Sequence, residues 1–296
     1  MVAEILEVLA PQPGQVAVDC TLGYGGHAEQ LLARLQPGGR LLGLDADPIE
    51  LPRTEARLQS LGFGPRTFTA HRTNFAGLQR ALASCGVPRV DLLLADLGVS
   101  SMQLDNPARG FSMKCDAPLD MRMNPRRGQP AAMLLLELPP AALTALLSDN
   151  ADEPWARVLG EALAGRRLTT TLELAAAVRA ALPRLSREEQ EASIRRVFQA
   201  LRITVNDELS ALDNLLRQLP DCLNPGGRAA ILSFHSGEDR RVKSAFAAGL
   251  RTGWYEEIAP AAMRPTPAES RDNPRSAPAR LRWARRTSTS SSSSNR

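Results

Sequence analysis

Val16-Ala17-Val18-Asp19-Cys20-Thr21-Leu22-Gly23-Tyr24-Gly25-Gly26 is the stretch from which the rest of the chain can be read. An apolar run with β-branched residues ends at Asp19, three glycines fall within the next seven residues, and a helix-like run from His27 to Leu35 follows. The order is strand, glycine turn, helix. Glycine takes positive φ freely and lets the backbone pass close to a ligand, so a flat or elongated cofactor can lie across the turn at the carboxyl end of the strand. The spacing Gly23-x-Gly25-x-x-Ala28 meets only the looser dinucleotide fingerprint, because alanine stands in place of the third glycine.

Working outward, Ala3 to Ala10 reads as a short amphipathic helix stopped by Pro11 and Pro13. Beyond the turn, Pro37-Gly38-Gly39 ends the first long helix and Arg40 to Asp45 gives a second strand. Asp45 lies about 20 residues past the turn, where a doubly wound sheet sets a carboxylate against ribose hydroxyls and repels a 2′-phosphate. Thr67 to Ala70 gives a third strand, Asn74-Phe75 opens a helical run, and Val90 to Ala95 gives a fourth strand leading into Asp96-Leu97-Gly98-Val99-Ser100-Ser101. Strands alternating with helices of this length imply a parallel sheet with right-handed crossovers. Ligand then belongs at the carboxyl ends, where Asp19, Asp45 and Asp96 all fall.

The alternation stops at Asn106. Residues 107 to 130 read as loop, with Arg109-Gly110-Phe111-Ser112 and Asp116-Ala117-Pro118-Leu119-Asp120-Met121-Arg122-Met123, and residues 131 to 194 show helical spacing throughout. The domains expected are a discontinuous core, 1–105 with 195–286, and a helical insertion, 106–194, with 11 basic and 11 acidic side chains. A helix from Arg195 to Leu219 resumes the core, followed by the strand Arg228 to Phe234, His235-Ser236-Gly237-Glu238-Asp239, the helix Arg240 to Leu250, and strands near Trp254 to Ile258 and Ala279 to Ala284. The Ser-rich end, 287–296, is expected to be disordered.

Charge placement says more than the net +4: Arg264 to Arg296 holds eight Arg against Glu269 and Asp272, leaving 28 basic and 30 acidic residues before it. Cys20, Cys85, Cys115 and Cys222 form no Cys-x-x-Cys, so neither a zinc site nor a disulfide framework is indicated, and no metal is expected. No apolar run approaches the roughly 18 residues that span a bilayer, and no signal pattern opens the chain. A cytoplasmic protein is expected.

Ordered motifs along nearly the whole chain resemble the RsmH (MraW) family, which methylates the N4 amine of a cytidine in 16S ribosomal RNA with S-adenosylmethionine. The carriers are Asp19-Cys-Thr-Leu-Gly-Tyr-Gly-Gly-His27, Asp96-Leu-Gly-Val-Ser-Ser-Met-Gln103-Leu-Asp105, Arg109-Gly-Phe-Ser112, Pro118-Leu-Asp-Met-Arg-Met123, Phe198-Gln-Ala-Leu-Arg-Ile203 with Asn206 and Glu208-Leu209, and Ser233-Phe-His-Ser236 with Glu238-Asp-Arg240. The resemblance implies a class I methyltransferase core, Rossmann-like with a mostly parallel sheet, interrupted by an all-helical domain that takes the RNA. It further implies a cofactor site of Gly25, Gly26, His27, Asp45, Phe75, Asp96 and Gln103, a small ribosomal subunit as the substrate particle, and leaves a homodimer open. An aromatic ring can stack on adenine, and a carboxylate and an amide can hold polar edges.

Departures from the family pattern are also visible. Its His-x-Pro-Val segment would fall ahead of Met1, Ala151-Asp-Glu-Pro-Trp155 stands where the family has Gly-Glu-Glu, Gly237 replaces an apolar residue, and Asn124 replaces Asp.

Cytosine N4 is a poor nucleophile, since its lone pair is delocalised into the ring, and it must shed a proton as the new bond forms. An acceptor nearby helps on both counts. Ser100, Ser101, Asp120 and His235 are the candidates, with no single base assigned; capping the next segment is the alternative role for the two serines. Arg109, Arg122, Arg126, Arg127 and the Arg-rich tail are candidate phosphate contacts. Two other functions stay open: a nicotinamide-dependent dehydrogenase, which leaves the motifs after Asp96 unexplained, and a non-catalytic ribosome-assembly or RNA-binding protein on the same scaffold.

Overall fold

The computed structural model describes residues 1–288. One sheet contains β1 (Val16–Asp19), β2 (Arg40–Asp45), β3 (Phe68–Arg72), β4 (Val90–Asp96), β5 (Leu223–Ser233), β6 (Tyr255–Ile258) and β7 (Arg280–Arg286), in the order β3-β2-β1-β4-β5-β7-β6. The first five strands are parallel and β7 runs antiparallel between β5 and β6. The order reverses at β1 and β4, the point where a doubly wound sheet opens a crevice at its carboxyl edge.

Both faces of the sheet are buried, which is why its strands read as apolar runs rather than as alternations. On one face Val18, Leu42, Leu93 and Ile231 pack against α4 (Leu78–Ser84), α11 (Glu208–Cys222) and α12 (Ser236–Arg251). On the other face Ala17, Leu41, Leu92 and Ala230 pack against α1 (Val2–Leu9), α2 (Gly26–Leu35) and α3 (Glu50–Ser60).

The chain divides into two compact units, Met1–Gly98 with Ser210–Arg296, and Val99–Leu209. The second holds α5 (Ser101–Asp105), α6 (Ala131–Glu137), α7 (Pro140–Ala151), α8 (Ala156–Leu163), α9 (Thr171–Ala181) and α10 (Arg187–Asn206) around its own core of Leu135, Leu143, Leu159, Leu174, Val197 and Leu201. α6 to α9 and the first half of α10 fall where the 3.6-residue spacing set them. The divisions read from periodicity, 106 and 194, differ from the observed ones because α5 already belongs to the second unit and α10 runs unbroken through residue 194. It starts behind a capping box of Ser186 and Glu189.

The single helix expected from Arg195 to Leu219 is two. Asp207 takes φ 51°, a left-handed conformation, and its N–H caps α10 by donating to Thr204 O. Aspartate adopts that region more readily than most residues. A short α13 (Pro267–Asp272) precedes β7. Of the end expected to be disordered, residues 289–296 lie outside the described residues. Thr287 N–H donates to Trp254 O at 3.1 Å and Ser288 N–H to Glu256 at 2.9 Å.

Candidate active site

Sheet register brings the three strand-end carboxylates to one edge. Asp19 pairs with Gly43 of β2 and Leu94 of β4, so Asp45 and Asp96 each stand two residues further along on the strands flanking β1. Between them lies the glycine turn. Leu22 N–H donates to Leu44 O at 2.9 Å, and Gly25 closes the turn onto Leu22 O at 2.8 Å. Gly25 has φ 82°, and a Cβ there would stand 2.8 Å from Thr54 Cγ2 of α3, so no other residue fits without strain. Gly26, the first residue of α2, faces open space.

Asp45 fastens the turn: its Oδ2 accepts Gly23 N–H at 2.9 Å and its Oδ1 accepts Asp47 N–H at 2.8 Å. Thr54 adds a hydroxyl donor to Gly23 O. On the other side of β1, Thr21 bridges two carboxylate strands. Its N–H donates to Asp19 Oδ1 at 3.0 Å, and its hydroxyl accepts Asp96 N–H at 2.6 Å. Thr21 and its bridging role were not singled out from sequence.

Asp19 is 1% exposed, and burial pushes its carboxyl up to about 7, against the opposing hydrogen bonds from Thr21. Asp96 is pushed up to about 6, first by desolvation, then by the Asp19 and Glu238 carboxylates, with His27 opposing. His27 Nε2 lies 4.0 Å from Asp96 Oδ2, and burial pulls its imidazole below the usual range despite that carboxylate. The pair therefore shifts toward its neutral forms. Although the Asp96 side chain keeps 37% of its surface open, its Oδ1 is sealed, and neither that oxygen nor His27 Nε2 has a hydrogen-bond partner among the described residues. Buried polar atoms in folded proteins are usually paired, so these two atoms have the capacity to take a ligand's polar edge.

The next strand supplies His235. The register Asp96↔Leu232 sets it just past the end of β5, at the N-cap of α12. Its side chain is 9% exposed and Nε2 lies 3.2 Å from Glu238 Oε1, yet neither ring nitrogen is hydrogen-bonded. Glu238 Oε2 accepts Phe234 N–H at 2.8 Å, and the Glu238 charge reaches Asp96. In the sequence Glu238 stands only as part of a motif. Its i, i+3 spacing from His235 across a helix start was the available signal. Phe75 heads a one-turn 3-10 segment and is half-buried against the core.

The remaining candidates lie in the other unit. Ser100 and Gln103 form a capping box on α5: Ser100 Oγ accepts Gln103 N–H at 3.3 Å and Gln103 Oε1 accepts Ser100 N–H at 3.0 Å. Ser101 is exposed. Arg122 grips Asp120 in two parallel bonds, Nε to Oδ1 at 2.8 Å and Nη2 to Oδ2 at 2.7 Å. Burial raises Asp120, but these bonds together outweigh it and hold the carboxyl below its usual range.

Arg109 is 5% exposed and donates to the carbonyls of Arg122 and Met123 at 2.9 and 2.8 Å. It holds the loop from within, so the reading of Arg109 as a surface contact does not match its burial. Arg126 and Arg127 are exposed. Asn206 at the end of α10 pins the same loop, donating to Met121 O at 2.8 Å and accepting Met123 N–H at 2.7 Å.

The family model for the MraW methylase family matches residues 1–287. The chain belongs to that family. "Ribosomal RNA small subunit methyltransferase H 1" of Lachnoclostridium phytofermentans is 44% identical over 292 residues, covering 96% of this chain and 79% of that protein. "Ribosomal RNA small subunit methyltransferase H 2" of Alkaliphilus metalliredigens is 46% identical over 292 residues, covering 96% and 83%. Among solved structures, an rRNA methylase from Streptococcus thermophilus covers 97% of this chain and 93% of its own at 12% identity and a TM-score of 0.45. Members of the MraW family are S-adenosylmethionine-dependent methyltransferases, so this chain is one, and its α/β sheet is the class expected from the motifs. A dehydrogenase is thereby set aside.

Proposed function

We propose that this chain transfers a methyl group from S-adenosylmethionine to the exocyclic N4 amine of a cytidine in 16S ribosomal RNA, acting in the cytoplasm on small ribosomal subunits. The observation that carries the cofactor site is the sealed, partnerless Asp96 Oδ1 beside the glycine turn. Relatives named for the small-subunit ribosomal RNA support the substrate.

In this reading Asp45 keeps lone pairs for the ribose hydroxyls while it holds the turn. Gly25, Gly26 and His27 let the backbone come close to the cofactor. Phe75 offers a face to adenine, and Asp96 accepts from the cofactor's N–H groups; the family motif adds Gln103, whose Oε1 already accepts Ser100 N–H at 3.0 Å. Bound S-adenosylmethionine supplies an electrophilic methyl carbon on a sulfonium sulfur. Everything else is positioning and proton handling by the chain.

His235 takes the proton that N4 loses. Its ring is buried, carries no competing hydrogen bond, and stands beside the Glu238 carboxylate, Nε2 lying 3.2 Å from Oε1. Asp120 is the weaker candidate, because Arg122 satisfies both of its oxygens and lowers its basicity. Ser100 is committed to its cap, which leaves Ser101 as the hydroxyl able to orient the amine. The base must be presented unpaired. Arg126 and Arg127 are the phosphate contacts, while Arg109 and Arg122 shape the loop that carries them.

The test is incubation with methyl-labelled S-adenosylmethionine and small subunits lacking cytidine N4 methylation, with digestion and mass identification of the nucleoside. N4-methylcytidine is expected; label in any other nucleoside contradicts the reading.

A further inference from the structure

The helices α11 and α12 leave a groove of about 440 Å³ that the methyl-transfer chemistry does not use. Trp254 stands at its mouth, immediately before β6. β6 and β5 both run antiparallel to β7, so Trp254 lies at the amino-terminal edge of the sheet, opposite the edge holding Asp19, Asp45 and Asp96. The floor is apolar and firm. The Tyr255 ring presses on the backbone of α12, where a Cβ at Gly249 would meet it at 2.3 Å, and packs edge-on to Phe246 at 5.6 Å between centroids.

Two features select the occupant. Trp254 is 43% exposed, with the Arg286 guanidinium 5.7 Å from its ring centroid, an arrangement that makes the indole a platform backed by a cation. The groove's charges are also unbalanced. Asp213, its one acid, is neutralised by Arg241 of α12 at 3.2 Å, whereas Arg217, one turn beyond Asp213 on α11, is exposed, with neither ion pair nor hydrogen bond among the described residues. Outside the groove's lining, Lys243 and Arg251 on α12 are also exposed and unpaired among the described residues.

An exposed aromatic face, an apolar floor and uncommitted cations together suit a flat base joined to a phosphate. A solvated face explains one free arginine, but not its convergence with an open tryptophan on a preformed cleft of nucleotide size. We propose that this groove binds an unpaired nucleotide of RNA, the base stacking on Trp254 and the phosphate meeting Arg217, as an anchor separate from the methylated base. The anchor extends the RNA-substrate reading, which it needs only as the source of the strand.

The test measures binding of a labelled, cytidine-free oligouridylate by fluorescence anisotropy, over a range of salt, for the full chain, Trp254→Ala, Arg217→Ala and Arg217→Glu, with S-adenosylmethionine affinity as the check on folding. Stacking one base predicts a loss of about fivefold or more for Trp254→Ala, and Arg217→Ala should lower the slope of log affinity against log salt by about 0.7. Cofactor affinity should not change in any of these variants. Oligouridylate affinity unchanged in both Trp254→Ala and Arg217→Glu overturns the proposal. So does a loss confined to Arg217→Glu and matched by a polyanion without bases, which would indicate charge alone. Retained RNA affinity with lost binding to RNA-free ribosomal protein would assign the groove to a protein partner instead. The probe contains no cytidine, so failure of methylation leaves this measurement standing, and failure here leaves methylation standing.

Discussion

Asp45 Oδ2 accepts the backbone N–H of Gly23 at 2.9 Å, so the carboxylate at the end of β2 builds the turn as well as serving, in the proposed site, the cofactor's ribose. Asp45→Ala removes both roles. Hydrogen bonds to charged groups are worth about 1.5–3 kcal/mol, so S-adenosylmethionine affinity measured by calorimetry should fall tenfold or more. Asp45→Asn, which keeps one acceptor for the turn, should fall between the two. Equal affinity in Asp45→Ala and the unmutated chain would remove Asp45 from the site.

Gly25 and Gly26 are adjacent and predict opposite outcomes. Alanine at 25 must hold φ 82° and push against Thr54 Cγ2 at 2.8 Å, whereas alanine at 26 meets nothing within 4 Å. The left-handed conformation alone costs about 1–2 kcal/mol. Gly25→Ala should lower the melting temperature by several degrees and weaken cofactor binding, and Gly26→Ala should leave the melting temperature unchanged. Similar melting temperatures for the two variants would contradict the turn geometry.

Asp19 gives a stability prediction with a definite sign. Its carboxyl is raised from 3.8 to about 7 in the folded chain, so its favourable contribution is complete below about pH 4 and is lost as pH rises through about 7. The rise corresponds to roughly 4 kcal/mol at about 1.4 kcal/mol per pH unit. Asp19→Asn should therefore gain on the unmutated chain in thermal melts from pH 4 to pH 8. A gap that does not change with pH would contradict the shift.

Glu153 shows why the altered 151–155 stretch still folds. Its Oε1 accepts Trp155 N–H and the Ser193 hydroxyl, both at 3.0 Å, its Oε2 lies 3.8 Å from Arg196, and the residue is 4% exposed. Asp152 before it adopts φ 48° to end α7. Glu153→Ala strands the Ser193 hydroxyl and the Trp155 N–H, at a cost of about 1–3 kcal/mol. Chemical denaturation should show that loss, with most of it restored in Glu153→Gln.

The core strands and their terminal aspartates were legible because parallel strands are apolar on both faces and acquire polar residues only where they end. Helical spacing likewise identified α6 to α10. Two kinds of feature were not legible. Periodicity continues across a single left-handed residue, so the break at Asp207 between α10 and α11 left no trace in the apolar pattern. Charge also reads as surface until its partners are known: Arg109, bound to the carbonyls of Arg122 and Met123, and Asp120, gripped by Arg122, are organised by one loop whose path follows no period. Gln103 and Ser100 do carry a cap signature, serine followed three residues on by glutamine.

The most direct test compares methyl transfer from labelled S-adenosylmethionine to unmethylated small subunits by the unmutated chain and by Asp96→Ala, with cofactor affinity measured on both. N4-methylcytidine from the unmutated chain alone, together with weakened binding of S-adenosylmethionine by Asp96→Ala, is the result predicted. Equal affinity and equal transfer in the variant would contradict the cofactor site. S-adenosylmethionine binding by the unmutated chain with no label reaching cytidine N4 would contradict the reaction.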